Sequence, residues 1–241
     1  MKDPVTPLAA VLLCAAASFC PAASVAAEPT PVVVELFTSQ GCNSCPPADA
    51  VLGELAMRDD VLPLSFHITY WDRLGWPDSF GLEASTRRQE AYADQLGRRS
   101  VYTPQMVVGG RLDVVGSQRR RVLEAIELLQ SHPQPGPAIA IANGELILAA
   151  GDQGACTLWL IGFDRAHDVA IGRGENRGRT LRYHNVVREI VDLGTWHGGP
   201  MALRLPIEQL AAAQRDGAAL LVQRQTDGAI IGARRIALAP G

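Results

Sequence analysis

A pair of cysteines between a strand pattern and a helix pattern limits the fold more than any other feature of this sequence. The β-branched run Val32–Thr38 predicts a buried strand, and the apolar spacing over 48–57 predicts a helix. Cys42 and Cys45 lie between them. Thiols at positions i and i+3 of a helix start can close a small disulfide ring and reopen it, and the helix N-terminus favours a thiolate. We therefore expect the chemistry of this chain at this junction.

Two prolines predict different roles for the two cysteines. Pro46 and Pro47 follow the second cysteine, and proline is tolerated only in the first turn of a helix. The regular helix should therefore begin near Ser44 or Cys45. Cys42 would then lie just off the helix end, exposed enough to attack a substrate, and Cys45 would resolve the mixed disulfide.

Two other uses of the dithiol stay open. It could be half of a zinc site, but no second Cys-x-x-Cys follows, and only Cys156 and five scattered histidines could complete one. We therefore predict no metal. A purely structural disulfide would close a tiny loop and stabilise little.

The order of the remaining patterns up to residue 131 indicates a fold class. A strand is predicted at 61–69, a helix at 79–96, a hairpin at 105–108 and 111–115 around Gly109-Gly110, and a helix capped by Ser117. A strand–helix–strand start implies a parallel crossover, and the hairpin adds antiparallel strands. We expect a mixed α/β sheet with flanking helices, the layout of a thioredoxin-like fold.

A proline-rich segment, 132–137, can continue neither helix nor strand and is the predicted boundary between two domains. We expect a thioredoxin-like domain over 28–131 and a β-rich, sandwich-like domain over 138–241. The second domain should contain strands at 139–142, 145–149, 157–163, 169–172, 180–193, 202–205, 219–225 and 229–238, and a helix at 207–215.

Four further residues are candidates for substrate binding. Thr103 and Pro104 immediately precede a predicted strand, and a cis-proline there would face the dithiol while the preceding residue presents backbone groups to a substrate chain. An ordinary trans-proline is the alternative. Trp71 and Trp76 follow the second strand, at a sheet edge where ligands bind; alternatively, they cover the core.

Two titratable residues are candidates for a proton relay. Glu35 lies in the strand before the dithiol and could be a buried carboxylate that exchanges protons with Cys45; exposure at the sheet edge is the alternative. His67 could serve the same purpose or be a satisfied strand histidine. The Gly174–Arg179 segment could contact the dithiol domain, bind an anionic partner, or only carry solvated arginines.

The first 27 residues and the overall charge limit the location and the partners. A charged start, a short apolar core and the small-residue segment 22–27 are typical of a signal peptide, with an uncleaved anchor as the alternative. We expect cleavage near Ala27, no membrane span afterwards, and a periplasmic or secreted protein. Lys2 is the chain's only lysine, which excludes Schiff-base and phosphate-loop lysines. A net charge of −3 gives no footprint for nucleic acid.

Several motifs together resemble a known family. They are residues 35–49 around the dithiol, Tyr70-Trp71-Asp72 with Gly75-Trp76, Arg88-Gln89, Tyr102–Gln105, Gly174–Arg179 and Tyr183–Arg188. In these motifs the chain resembles a family of secreted bacterial thioredoxin-like proteins that is catalogued as a domain of unknown function. The resemblance implies a thioredoxin-like fold followed by a β-rich half, and it implies no particular reaction.

Two functions remain in view. The first is an exported thiol–disulfide oxidoreductase that acts, without a cofactor, on a protein or small-molecule thiol or disulfide. Cys42 would attack, Cys45 would resolve, and Thr103-Pro104 would present the substrate. The second is a binding module for a metal or a protein, in which the dithiol provides ligands or a redox switch.

Overall fold

A computed structural model describes residues 30–238 of the chain. The predicted signal peptide, 1–27, lies outside this range, so its cleavage and the export of the chain stay predictions. Among the described residues, no helix is both long enough and apolar enough to cross a membrane.

The first half of the described chain follows the predicted order. Its elements are β1 (Val32–Thr38), α1 (Pro46–Leu55), β2 (Val61–His67), a 3₁₀ turn (Asp72–Leu74), α2 (Glu83–Gln95), β3 (Gln105–Val108), β4 (Leu112–Val115) and α3 (Arg119–Ser131). The prolines start α1 at Pro46, with Cys45 as the residue that precedes it. The predicted cap of α3 is wrong. Gln118 precedes that helix, and no side chain caps its N-terminus.

Side chains of β1 alternate between the two faces of the sheet. Val34 and Leu36 of β1 point towards α1 and α3, whereas Val33 and Phe37 point towards Tyr92 of α2. Even-numbered and odd-numbered side chains of β1 therefore face opposite layers, because successive side chains of a strand alternate. The dithiol belongs to the α1 side.

The second half of the described chain is β-rich, as predicted. Its elements are β5 (Ile139–Ala142), β6 (Glu145–Leu148), β7 (Cys156–Ala170), β8 (Thr180–Trp196), β9 (Met201–Arg204), α4 (Ile207–Ala212), β10 (Gly217–Arg224) and β11 (Ile230–Ala237). The strands predicted separately at 157–163 and 169–172 are one strand, β7, whose register shifts between Gly162 and Phe163.

One eight-stranded sheet runs through both halves in the order β11-β10-β7-β8-β2-β1-β3-β4. β2 pairs in parallel with β1 and, at Ser65 and Val186, with β8, whereas β3 and β4 are antiparallel. The mixed α/β class is thus confirmed. The division at 132–137 stays a prediction, because the sheet itself continues across the two halves.

A second sheet of β5, β6 and β9 covers part of the large one. Leu146 and Leu148 of β6 share a core with Leu158 and Leu160 of β7. This arrangement is sandwich-like, and it leaves the long β7–β8 hairpin free to extend alongside α1 towards the dithiol.

Candidate functional site

Cys42 and Cys45 form a disulfide at the start of α1. The sulfurs are 2.11 Å apart, and the Cα atoms are 5.4 Å apart. Both residues are 0% exposed. The expectation that Cys42 is exposed is therefore wrong, and the reason is a cover that comes partly from the second half of the chain.

Asn176 is the centre of this cover. It lies in the loop between β7 and β8, is fully buried, and donates from Nδ2 to the carbonyl oxygens of Gln40 and Cys42, both at 2.9 Å. Arg179 donates to Asn176 Oδ1 at 2.9 Å and so holds the amide in this orientation. The Gly174–Arg179 segment, hereafter the strap, thus contacts the dithiol loop, one of the alternatives open for it.

Trp76 joins the strap to the dithiol loop. Its Nε1 donates to Gln40 Oε1 at 2.9 Å. A Cβ on Gly174 would lie 3.2 Å from Trp76 Cβ, and Gly174 has a φ of +76°, so this close approach requires glycine on both steric and backbone grounds.

Thr103 connects Trp71 to the sulfur of Cys42. Trp71 Nε1 donates to Thr103 Oγ1 at 2.9 Å, and Thr103 Oγ1 donates to Cys42 Sγ at 3.4 Å. Ser44 Oγ lies 3.4 Å from the same sulfur. The Thr103–Pro104 peptide bond is cis, as predicted. The structure therefore brings Thr103, Pro104, Trp71 and Trp76 around the disulfide.

Glu35 is buried, but on the other face of β1. Arg88 Nε donates to Glu35 Oε1 at 2.6 Å, and the hydroxyl of Tyr92 donates to Oε2. Both partners belong to α2, which packs opposite α1. Glu35 is thus a buried carboxylate and is not exposed at the sheet edge. Its role as a proton relay stays a prediction.

His67 lies on the α1 face and forms a buried pair with an acid. Its Nδ1 is 2.8 Å from Asp78 Oδ2, which also accepts from the backbone N–H of Gln40 at 2.7 Å. Burial alone would raise the pKa of Asp78, but His67 and the N–H groups of Gln40 and Phe80 outweigh it and hold that pKa below its ordinary value. Asp78 thus links His67 to the dithiol loop through the Gln40 N–H, and the role of His67 as a proton relay stays a prediction.

Asp49 is a second acid on the α1 face, one helical turn after Cys45. It is 4% exposed, and its Oδ1 accepts from Thr38 Oγ1 at 2.9 Å. Burial raises its pKa to about 7, although the interactions with His67 and Thr38 lower it. Its Oδ2 has no hydrogen-bond partner within residues 30–238.

No group of three or more His, Cys, Asp or Glu side chains in the described chain is arranged to hold a metal ion. The disulfide, its cover and the two acids of the α1 face are therefore the features from which a function must be argued.

Comparison with known proteins identifies the family. Residues 33–223 match the family described as "Protein of unknown function (DUF1223)". The chain belongs to the DUF1223 family. The matched range includes the disulfide, the strap and both buried acids, so the whole candidate site lies within the family region. No curated protein matches this DUF1223 chain.

Two solved structures are similar to this DUF1223 protein. A protein from Agrobacterium tumefaciens, solved by X-ray crystallography in a structural genomics programme, is 33% identical; the match covers 90% of this chain and 98% of that one, with a TM-score of 0.74. HBP35 of Porphyromonas gingivalis is 14% identical, with 87% of this chain and 76% of that chain covered and a TM-score of 0.59. The second likeness is one of fold alone.

In the sequence, Asp49 is the last residue of the 35–49 family motif, and no role was predicted for it. The spacing of four residues between Cys45 and Asp49 could have predicted that they are neighbours, because residues four apart on a helix lie side by side. Asn176 was noted within the strap, but no local pattern indicates which loop its amide would reach.

Proposed function

We propose that this DUF1223 protein is an exported thiol–disulfide oxidoreductase with a thioredoxin-like first half. The observation that carries the proposal is the disulfide at the start of α1, with the Thr103 hydroxyl directed at Cys42 Sγ. A hydroxyl donor and a helix N-terminus both favour a thiolate, which is the reactive form of cysteine.

The reaction needs only the dithiol and a substrate of the same chemical class. In the reduced protein, the Cys42 thiolate attacks one sulfur of a substrate disulfide, and the other substrate sulfur leaves as a thiolate. Cys45 then loses its proton and attacks Cys42 Sγ, which releases the second substrate thiolate and closes the Cys42–Cys45 bond. The substrate gains two electrons and the dithiol loses two; the oxidised protein runs the same steps in reverse.

Substrate access requires the strap to move, because both cysteines are buried and Asn176 of the strap holds the backbone carbonyl oxygen of Cys42. When Asn176 releases Gln40 and Cys42, the half-buried Trp71, Trp76 and Thr103 would border the opened sulfur. Such a wall suits an extended protein segment or a small thiol, since aromatic rings provide apolar surface and Thr103 provides polar groups.

One observation favours a second candidate, a disulfide that does not exchange. Complete burial of both cysteines shields the bond from attacking thiolates. The protein would then be a binding module that keeps the bond closed or uses it as a switch.

A trapping experiment separates the two candidates. The Cys45→Ser variant leaves Cys42 unable to be resolved, so exchange would accumulate mixed disulfides on Cys42. Cys42→Ser is the matched control, because it removes the attacking thiol and keeps Cys45 and the buried Cys156. We expect adducts from a periplasmic or culture extract, and with glutathione, on Cys45→Ser alone.

The reduction potential of the Cys42–Cys45 disulfide is the measurement that could exclude the enzyme. A potential below about −300 mV, together with no exchange with glutathione, is the behaviour of inert structural bonds and would exclude the enzyme. Export is tested separately by sequencing the N-terminus of the mature chain, which we expect to begin near Glu28; an intact N-terminus would contradict cleavage.

A further inference from the structure

Asp49 lies one helical turn after Cys45, the residue that would resolve the mixed disulfide. Its backbone N–H donates to the carbonyl oxygen of Cys45 at 3.1 Å, so the two residues share one turn of α1. Side chains four apart on a helix have Cβ atoms about 5–6 Å apart, and helical side chains tilt towards the N-terminus. By these two rules the Asp49 carboxyl lies on the Cys45 side of its own Cα, and both residues are buried.

One oxygen of this carboxyl is unused. Thr38 binds Oδ1, but Oδ2 is buried without a hydrogen-bond partner among the described residues. An ionised carboxylate in such a place is costly, so the group exchanges its proton near neutral pH instead of at the usual acidic value. Glu35, in contrast, has both oxygens bound on the far face of β1.

A surface cavity leads from Asp49 to solvent. Its volume is about 340 Å³, and Asp49 lines it together with Pro46 and Ala50 of α1 and with Arg179, Arg182 and His184 from the β7–β8 hairpin. His184 packs so closely on α1 that a Cβ on Gly53 would lie 2.8 Å from its ring. A buried acid that borders a cavity can exchange its proton with water without unfolding.

The titratable groups around Asp49 come from each neighbouring element. His67 of β2, paired with Asp78, lowers the pKa of Asp49, whereas Asp78 itself raises it. Tyr183 of β8 has its ring 4.8 Å from His67, and burial raises the pKa of its hydroxyl. His184, whose pKa burial and Arg182 lower, and Arg179 complete the cavity side.

We propose that Asp49 is the proton donor and acceptor for the Cys45 sulfur and that it exchanges this proton with solvent through the cavity beside Arg179, Arg182 and His184. This role rests on the proposed oxidoreductase function. When a thiolate attacks Cys42 Sγ in the oxidised protein, the bonding electron pair of the disulfide leaves on Cys45 Sγ, and the Asp49 carboxylic acid protonates it. In the other direction, the Asp49 carboxylate takes the proton from the Cys45 thiol before that sulfur attacks the mixed disulfide.

The test is the pH profile of disulfide reduction in the full chain, with dithiothreitol as the probe and the rate divided by the concentration of its thiolate. In the wild type this rate should fall as pH rises through about 7, because Asp49 loses the proton that it donates. In Asp49→Asn the fall should vanish, and the rate near pH 6 should be about 100-fold lower. Glu54→Gln, at an exposed acid of the same helix, should keep the wild-type profile.

A second variant keeps the proposal testable if Asp49→Asn does not fold. Thr38→Val removes the hydrogen bond that lowers the pKa of Asp49, so the inflection should move to higher pH. An unchanged inflection in Asp49→Asn or in Thr38→Val would overturn the role of Asp49 and leave the oxidoreductase in place. A wild type that exchanges with neither dithiothreitol nor glutathione at any pH would overturn both.

Discussion

Two buried acids lie on opposite faces of the same sheet, and their surroundings differ in kind. Glu35 binds Arg88 and Tyr92, and the Arg88 guanidinium also lies 5.2–5.7 Å from three aromatic ring centres. Within residues 30–238, Asp49 has one side-chain hydrogen-bond partner, Thr38, and its Oδ2 has none. Burial alone therefore does not make an acid reactive. A carboxylate with hydrogen bonds to both oxygens stabilises its layer, whereas one with a hydrogen bond to a single oxygen can exchange a proton near pH 7.

The largest effect should follow from removing the partner of Glu35. Arg88→Leu leaves a buried carboxylate without its cation, and breaking a buried pair in this way costs about 3–5 kcal/mol. We expect urea denaturation at neutral pH to show a loss of this size in the free energy of unfolding.

The neighbouring Arg87 supplies the control for this prediction. It is exposed, so Arg87→Leu should change the free energy of unfolding by less than about 0.5 kcal/mol. If Arg88→Leu behaved like Arg87→Leu, Glu35 would not depend on its ion pair, and the contrast with Asp49 would fail.

The raised pKa of Asp49 should make the free energy of unfolding depend on pH. In the unfolded chain an aspartate titrates near pH 4, whereas Asp49 in the folded chain titrates near 7. Between these values the folded state binds more protons, so the free energy of unfolding falls as pH rises, by at most about 4 kcal/mol over about three pKa units. The fall is complete above the folded pKa.

Denaturation curves at several pH values between about 4 and 8 check this prediction. The difference between wild type and Asp49→Asn should change across that range in the stated direction, while Glu54→Gln should run parallel to the wild type. Parallel curves for Asp49→Asn as well would mean that Asp49 is ionised in the folded protein over the whole range.

The smallest effect concerns the strap, whose Asn176 binds the dithiol loop on the α1 face. Asn176→Ala removes two hydrogen bonds to backbone carbonyls and should lower the free energy of unfolding by about 2 kcal/mol. A strap weakened by this amount opens more often, so dithiothreitol should reduce the disulfide up to about 30-fold faster. Arg177→Ala, at an exposed position of the same strap, is the control. Equal reduction rates in the two variants would show that the strap does not limit access.

Local patterns were sufficient to predict much of this fold. Strand alternation and helical spacing located β1, α1, β2 and the β3–β4 hairpin within a few residues, because their apolar periods are determined by neighbours in sequence. The continuation of the sheet through Ser65 and Val186 was not predicted, since a parallel pairing between residues this far apart in the chain leaves no local signal.

For the candidate site, the sequence predicted which residue types are present but not whether they are exposed to solvent. The sequence by itself determined that two thiols open a helix and that Thr103-Pro104 precedes a neighbouring strand, because cysteine spacing and proline positions are local constraints on the backbone. The meeting of distant segments settled that Asn176 binds the carbonyl oxygen of Cys42, that Glu35 and Asp49 face opposite layers, and that Asp49 Oδ2 has no hydrogen-bond partner among the described residues. Burial and hydrogen bonding depend on which distant segments meet, and that is settled when the β7–β8 hairpin packs against α1.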